Sequence, residues 1–294
     1  MFTGALFLAR PGHLTRNSPK SVRRITLAQH RVDLAMIDAP ALDTAEFQAK
    51  LDTTDLGRNL LAHFSIPSTM DVAREVAADG APHGTLVFAE EQTAGRGRRG
   101  RSFYSPASQN LYFTFVLRLP LAVHRRLPVI LPLAVARAIR EHGLDARIKW
   151  PNDIWIRDRK VCGMLIDGEL TLHGGLAFPG IGINVNGDPG DNPDLAGLAT
   201  SLSLELGHPV SRETLLASVC NHLERLLDTA QKDLIDEYRA LSCTLGREVT
   251  VAPATGEAYE AKAMSISEDG ELMVRRRDGL VVAVNAADVS IRPV

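Results

Sequence analysis

The sequence predicts an α+β protein in which a mixed β-sheet with helices is followed by a small, separate β-rich unit. In the first half, apolar patterns follow one another as helix, strand, strand and helix before more strands begin. This order differs from the repeated βαβ units of a parallel sheet. After residue 243, four short β-rich runs are separated by turn residues. A chain of 294 residues that is 45% hydrophobic can bury a substantial core.

Caps and apolar spacing predict the elements of the first half. DTAEFQAKLDT is typical of a short helix capped by Asp43 or Thr44, and LLAHFSI is typical of a strand that ends at Pro67. Ser68 and Thr69 stand where the helix of MDVAREVAADG needs a cap. GTLVFAEEQ and NLYFTFVLRL are predicted as strands, and PVILPLAVARAIREHG as a mostly apolar helix.

The segment RIKWPNDIWIRDRKVCGMLIDG, residues 147–168, predicts three strands joined by two turns. The turns display Lys149, Asn152, Asp153 and Lys160. An Asp153 that closes a turn and a Lys160 that begins a strand would explain part of this pattern without any ligand. Two lysines beside a carboxylate and an amide also suit an adenylate-forming site, where cations hold phosphates.

The C-terminal part combines an amphipathic helix with short strands. SRETLLASVCNHLERLLDTAQ is predicted as a helix that begins after the cap Ser211 and carries its leucines on one face. The four predicted strands of the small unit are REVTVA, EAKAMSI, GELMVRR and LVVAVNA.

Positive charge is concentrated in TAGRGRRGRSFYSP, residues 93–106, where four arginines share a Gly-rich frame. The whole chain has 33 Lys+Arg against 35 Asp+Glu and a net charge of -2, so it is not expected to bind polyanions in general. We therefore expect these arginines to bind a local anion. The glycine spacing fits neither a P-loop nor a dinucleotide-binding fingerprint.

Composition also bears on where the chain works. Cys162, Cys220 and Cys243 show no pairing framework and no metal-ligand spacing, which favours a reducing compartment such as the cytoplasm. The apolar runs are too short to span a membrane. Residues 1–40 begin with a basic stretch that lacks acidic side chains. We interpret them first as a disordered extension or a misplaced start and second as a targeting segment. A secretory signal is the least expected interpretation.

Four motifs make the sequence resemble a known family. GRGRRGR, KWPND, RDRKVCGMLI and GIGIN occur in the order and approximate spacing of biotin protein ligases, also called biotin–[acetyl-CoA carboxylase] ligases. The resemblance runs from about Leu60 to the C-terminus. It implies a catalytic domain over residues 41–243, with the sheet of lipoate ligases and class II synthetases. It also implies an SH3-like β-barrel over residues 244–294.

The resemblance implies an enzyme, with its reaction and its partners. Biotin and ATP, with Mg2+, would form biotinyl-5'-AMP and pyrophosphate. The biotinyl group would then pass to a lysine of a biotin carboxyl carrier domain in a biotin-dependent carboxylase, and family members also form homodimers. Some members carry an N-terminal helix-turn-helix. Only one convincing helix precedes Leu60 here, which favours the ligase-only type without DNA binding.

The resemblance also implies site residues by motif position. Lys160 would bridge the biotin carboxylate and the α-phosphate, and Arg98 and Lys149 would complete the catalytic cations. Asp153 is the candidate Mg2+ ligand, and Asn184 would lie near the adenine. The full set implied to bind biotin and nucleotide is Ser68, Thr69, Gln92, Gly95, Arg96, Gly97, Arg98, Arg101, Asn152, Asp153, Lys160, Gly163 and Asn184.

Three residues depart from the family pattern. Met70 stands where the family has asparagine after Ser-Thr, so one polar contact to the ureido group is missing or is made by the backbone. Phe103 stands where the family usually has an aromatic residue, often tryptophan, and it can still stack on adenine without donating a hydrogen bond. Cys162 replaces a small apolar residue and is expected to pack.

Two alternative functions remain open at the sequence level. Lipoate or octanoate ligases share the fold and a KxxG lysine like Lys160, but their usual arginine-led triple-glycine loop is absent here. A nucleic-acid-binding module could use the arginine-glycine strip. Such strips usually lie in basic, low-complexity segments, whereas this one interrupts a strand-rich core.

Overall fold

A seven-stranded mixed sheet organises the larger part of the chain. The computed structural model describes residues 41–171, 174–253, 256–285 and 289–293. The extension predicted for residues 1–40 lies outside the described residues. The strands are β1 (Leu60–Ile66), β2 (Thr85–Gln92), β3 (Leu111–Leu119), β4 (Arg147–Lys149), β5 (Asp153–Ile156), β6 (Arg159–Thr171) and β7 (Gly174–Ile183). Their order is β1-β2-β3-β7-β6-β5-β4. Among the described strands of this sheet, only β1 and β2 pair in parallel, which confirms the predicted mixed sheet.

Three of the helices begin at the caps that the sequence predicts. The helices are α1 (Thr44–Lys50), α2 (Thr69–Ala78), α3 (Leu121–His124), α4 (Leu127–Arg140), α5 (Leu202–Leu206), α6 (Arg212–Leu227) and α7 (Gln231–Leu241). The side chains of Asp43, Ser68 and Ser211 accept hydrogen bonds from backbone N–H groups in the first turns of α1, α2 and α6. The predicted caps are therefore confirmed.

Helices cover the sheet unequally on its two faces. On one face, Leu86 and Phe88 of β2 belong to the main core, into which α4 and α6 also pack. On the other face, Val87 packs with Ala73 of α2 in a smaller cluster. The helix α2 packs on β2, β3 and β7, whereas α4 supports β4, β5 and β6 from the opposite side. The two helices therefore cover different halves of the sheet on opposite faces.

The C-terminal unit is a five-stranded antiparallel sheet. It contains β8 (Glu248–Pro253), β9 (Tyr259–Ile266), β10 (Leu272–Arg276), β11 (Val281–Val284) and β12 (Val289–Pro293), in the order β11-β10-β9-β8-β12. The four predicted strands are confirmed, and β12 is an addition that pairs with β8. Trp150 fastens this unit to the larger sheet, because its indole N–H donates to the carbonyl of Gly270 over 3.0 Å. No helix among the described residues is long and apolar enough to cross a membrane.

Candidate active site

One row of cross-strand partners runs across five strands on the face that carries α2. Tyr112 of β3 pairs with Gly182, Gly182 with Gly163, Gly163 with Asp153, and Asp153 with Lys149. Directly paired residues in a sheet lie side by side on the same face. Two adjacent glycines therefore leave the middle of the row without side chains, between an aromatic ring and a charged pair.

A β-bulge brings Lys160 onto this face. Asp153 pairs with Gly163, but two residues further along β5 Trp155 pairs with Lys160, so that Val161 is skipped in the ladder. In a regular strand, residues three apart point to opposite faces. The extra residue reverses this relation, and the Lys160 Nζ atom lies 2.7 Å from where a Cβ atom of Gly163 would stand. Val161 and Cys162 are both buried, and the expectation that Cys162 packs is confirmed.

The charged end of the row is a compact group of cations around one carboxylate. Lys160 Nζ lies 2.8 Å from one Asp153 oxygen, and Lys149 Nζ lies 3.8 Å from the other. Arg98 from the arginine loop donates to Asn152 Oδ1 over 3.5 Å, and the Asn152 amide donates in turn to the Met164 carbonyl. Arg98, Lys149, Asn152, Asp153 and Lys160 thus lie together at one end of the row.

Burial changes the acidity of two of these cations. Desolvation lowers the pKa of Lys149; nearby Lys160 adds to this effect, and Asp153 opposes it. Desolvation also lowers the pKa of Arg98, with a further contribution from its neighbour Arg99. A cation that is partly removed from water interacts more strongly with an arriving anion.

The other end of the site is polar and uncharged. Gln92 Oε1 accepts from both the backbone N–H and the hydroxyl of Thr69, over 2.9 and 3.1 Å. The Thr69 hydroxyl also lies 2.8 Å from that of Thr114, and Gln92 Nε2 donates to Ser105 Oγ over 3.2 Å. Thr69 and Thr114 are almost fully buried. This group offers neutral donors and acceptors held in a fixed arrangement.

Met70 and Phe103 line the space between the two ends. Met70 is buried, and its Cγ and Sδ atoms lie 2.9 Å from where a Cβ of Gly180 would stand. The Phe103 ring lies on the glycines of the row, with Cε1 2.4 Å from the Cβ position of Gly182. Lys160 Nζ is 5.8 Å from the centre of the same ring. The strip of glycine backbone between the two ends is therefore covered by the side chains of Met70 and Phe103, and we call this strip the trough.

The arginine loop folds back over this trough as a small irregular hairpin. The Phe103 N–H donates to the Gly95 carbonyl over 2.9 Å, and the Gly97 N–H donates to the Arg101 carbonyl over 2.7 Å. Gly95 must be glycine, because a Cβ atom there would lie 2.6 Å from the Phe103 carbonyl oxygen. Arg99 adopts a left-handed conformation, φ 58°, and donates to the Ala252 carbonyl of β8.

Four predicted residues lie at the border of the group. Arg96 forms a 2.6 Å ion pair with Asp71 of α2, and the Ser68 side chain is engaged as the helix cap. Asn184 follows β7, and its amide donates to the Thr200 carbonyl over 3.0 Å. Arg101 is exposed and its guanidinium donates to the Arg98 carbonyl over 3.4 Å.

Sequence reasoning missed several residues that shape the trough. Thr114 and Tyr112 lie in an apolar strand where nothing distinguishes them from core residues. Gly180 and Gly182 both lie in the motif GIGIN, and glycines two apart in a strand leave one face bare. That spacing is the signal that could have identified the floor of the trough.

Comparisons with known proteins place this architecture in a defined class. A model of the Biotin/lipoate A/B protein ligase family matches residues 63–186, and a model of the Biotin protein ligase C terminal domain matches residues 244–292. The Bacillus subtilis bifunctional ligase/repressor BirA is 31% identical over 278 residues, which cover 90% of this chain and 84% of that protein. The Mycobacterium tuberculosis biotin–[acetyl-CoA-carboxylase] ligase is 33% identical over 226 residues, which cover 72% of this chain and 81% of that protein.

Solved structures agree with these relatives. The biotin protein ligase from Aquifex aeolicus, in complex with biotin and ATP, matches with a TM-score of 0.69 and 27% identity, covering 81% of this chain and 100% of that one. The ligase from Leishmania major in complex with biotinyl-5-AMP matches with a TM-score of 0.56 and 28% identity, covering 78% and 99%. The chain belongs to the biotin protein ligase family.

Proposed function

We propose that this protein is an ATP-dependent biotin protein ligase that activates biotin as biotinyl-5'-AMP and transfers it to a lysine of an acceptor protein. The single observation that carries the proposal is the trough itself. It joins a neutral hydrogen-bonding end at Thr69, Gln92 and Thr114 to a cationic end at Lys160 over a floor of glycine. Biotin has the matching shape, with a neutral ureido head, an apolar chain and a carboxylate to be activated.

The first step joins two anions, and the cationic end serves this purpose. The biotin carboxylate attacks the α-phosphorus of ATP, a P–O bond forms to biotin, and the bond to pyrophosphate breaks. Repulsion between two unit charges at ~4 Å costs about 4 kcal/mol at an effective dielectric of 20. We assign Lys160 to the carboxylate and α-phosphate, and Arg98 and Lys149 to the phosphates. The negative charge then moves onto pyrophosphate among fixed cations.

Mg2+ would accompany the nucleotide. Among the described residues, no group of three His, Cys, Asp or Glu side chains could hold a metal ion. Asp153 contacts Lys160 and Lys149, so it suits at most one bond to a Mg2+ whose other ligands are phosphate oxygens and water. When bound, the ion would neutralise charge on the β- and γ-phosphates. We assign Asn184 to the adenine side and Gly95, Arg96, Gly97 and Arg101 to the loop that covers the ligand.

In the second step the ε-amino group of the acceptor lysine attacks the biotinyl carbonyl carbon. An amide bond forms, and the bond between that carbon and the AMP oxygen breaks. We propose a biotin carboxyl carrier domain of a biotin-dependent carboxylase as the acceptor. We also propose a cytoplasmic location, which three free cysteines support. Residues 41–243 would form the catalytic domain and residues 244–294 the C-terminal domain. We further propose a homodimer, which a measurement of mass in solution would test.

Transfer to a carrier domain tests the complete reaction. The purified protein is incubated with biotin, MgATP and a carrier domain, and the mass of the carrier is measured. We expect an increase equal to one biotinyl group, which disappears when the acceptor lysine is replaced by arginine. A carrier domain that stays unmodified while adenylate forms would contradict the proposed acceptor.

The Gly163→Ala substitution should slow adenylate formation without unfolding the protein. The added methyl group would lie 2.7 Å from Lys160 Nζ and 3.1 Å from Phe103 Cε2, so the lysine must move. Moving a catalytic group by about 1 Å lowers the rate by about 10- to 100-fold. The affected atoms end a flexible side chain, so the thermal unfolding midpoint should change little. Pyrophosphate exchange and thermal unfolding measure both effects, and a wild-type rate would contradict the assigned place of Lys160.

Alkaline pH should weaken ATP binding through Lys149. Because burial lowers the pKa of Lys149, this side chain loses its charge at a lower pH than an ordinary lysine, whose pKa is about 10.4. The KM for ATP should therefore rise as the pH rises through the lowered pKa. Lys149→Arg keeps its charge and should move this rise to higher pH. Steady-state kinetics over the alkaline range provide the measurement, and identical profiles for the two proteins would exclude Lys149 as the cause.

A further inference from the structure

A buried polar network lies at the Tyr112 end of the glycine row, outside the groups assigned above. Its centre is Asn110, which is 4% exposed. The side-chain oxygen of Asn110, Oδ1, accepts from the N–H groups of Val185 and Gly187, over 2.8 and 3.2 Å. The Asn110 amide donates to the Tyr112 hydroxyl over 3.0 Å. One side chain thus holds both the start of β3 and the turn that follows β7.

The network continues from Tyr112 into the arginine loop. The Tyr112 hydroxyl donates to the Pro106 carbonyl over 3.1 Å, and Pro106 lies on the segment that returns from the loop to the sheet. The Tyr112 ring meets Phe103 edge to face, with the ring centres 6.3 Å apart. Phe103 lies in turn on Gly163 and Gly182, beside Lys160. The hydroxyl therefore restrains the base of the loop whose aromatic ring borders the main catalytic lysine.

An ion pair fixes this network to the core. Arg212 of α6 binds Glu90 over 2.6 Å, and both side chains are at least 94% buried, with exposures of 6% and 3%. Arg212 also donates to the Asn110 carbonyl of the main chain over 3.2 Å, and the Ser108 N–H donates to the Glu90 carbonyl over 3.2 Å. Buried pairs of this kind hold their partners in one arrangement. Glu90 and Arg212 therefore hold Ser108 and Asn110, which lie between the arginine loop and β3, in fixed positions.

We propose that Tyr112 and Asn110 are positioning residues for adenylate formation. They hold two segments in place over the glycine row: the arginine loop, and the turn after β7 that begins with Asn184. Neither residue contacts the reacting atoms. Tyr112 acts through Pro106 and Phe103, and Asn110 acts through Val185, which directly follows Asn184. Burial raises the pKa of Tyr112, so that its hydroxyl keeps the proton that it donates. The inference rests on the proposed function, because the register matters only if nucleotide binds in this trough.

Tyr112→Phe tests the inference, with Tyr238→Phe as the matched control. Both tyrosines are at most 1% exposed. The Tyr238 hydroxyl has no hydrogen-bond partner among the described residues, whereas the Tyr112 hydroxyl makes two hydrogen bonds. For Tyr112→Phe we expect the KM for ATP in biotin-dependent pyrophosphate exchange to rise about fivefold. This is the effect of losing one hydrogen bond of about 1 kcal/mol, the bond to the Pro106 carbonyl that restrains the loop. For Tyr238→Phe we expect the wild-type KM.

Thermal unfolding separates positioning from stability alone. A purely structural hydroxyl would lower the unfolding midpoint of Tyr112→Phe and leave the KM of the folded enzyme unchanged, and that result would overturn the inference. Equal KM values for the two variants, with the wild type active, would also overturn it. A wild type without biotin-dependent exchange would instead overturn the proposed function.

Discussion

Lys160→Ala is expected to reduce the rate of biotin-dependent adenylate formation by about 100- to 1000-fold, the range found when one fixed donor to a developing charge is removed. Lys160 is the cation that the bulge brings over the glycine row, and it is 2.8 Å from Asp153. Its removal leaves the Asp153 carboxylate beside the reacting anions with less compensation. Pyrophosphate exchange at saturating biotin and ATP measures the loss.

Lys232→Ala is the control for this substitution. Lys232 is an exposed lysine of α7, so that its loss removes the same charge without touching the trough. We expect its exchange rate to stay within about twofold of wild type, as for most exposed charges. Equal rates for the two variants would mean that Lys160 does not stabilise the reacting charge.

Arg98→Ala is expected to lower retention of the adenylate and its rate of formation by about 100-fold. Arg98 is half-buried, reaches Asn152 and lies near Asp153, whereas its neighbour Arg99 is exposed and reaches the Ala252 carbonyl of the C-terminal sheet. The two adjacent arginines of one loop therefore serve different surfaces.

Arg99→Ala is the matched control within the loop. It removes the same charge at the adjacent position, and we expect changes of at most about threefold, since an exposed contact contributes little. Release of radiolabelled biotinyl-AMP after gel filtration, together with pyrophosphate exchange, compares the two. If Arg99→Ala lowered retention and rate as much as Arg98→Ala, the total positive charge of the loop would matter, and the group that each arginine reaches would not.

Local signals in the sequence predict most of the fold. Caps at Asp43, Ser68 and Ser211, together with apolar runs, place α1, α2 and α6 and most strands correctly. The helix α7 and strand β12 were not predicted. Few apolar residues mark α7 amid charged ones, and β12 is a five-residue strand defined by its pairing with β8. Such elements are set by tertiary contacts that a local pattern does not contain.

The site was predicted as a set of residues but not as an arrangement. The motifs identify Lys160 and Gly163, yet their spacing of three would place them on opposite faces of a regular strand. Only the bulge at Val161 unites them, and a bulge arises from pairing with β5. The roles of Tyr112 and Asn110 depend on contacts with Pro106 and with the turn after β7, and none of the four family motifs includes Tyr112 or Asn110.

The most direct test of the account is exchange of radiolabelled pyrophosphate into ATP, measured with biotin, with lipoate, with octanoate and without an acid. The trough pairs a neutral polar end with a cationic end, so we predict exchange only when biotin is the acid supplied. Exchange with lipoate or octanoate would contradict the assignment of the polar end to a ureido ring. Absence of exchange with every acid would contradict adenylate formation in this trough.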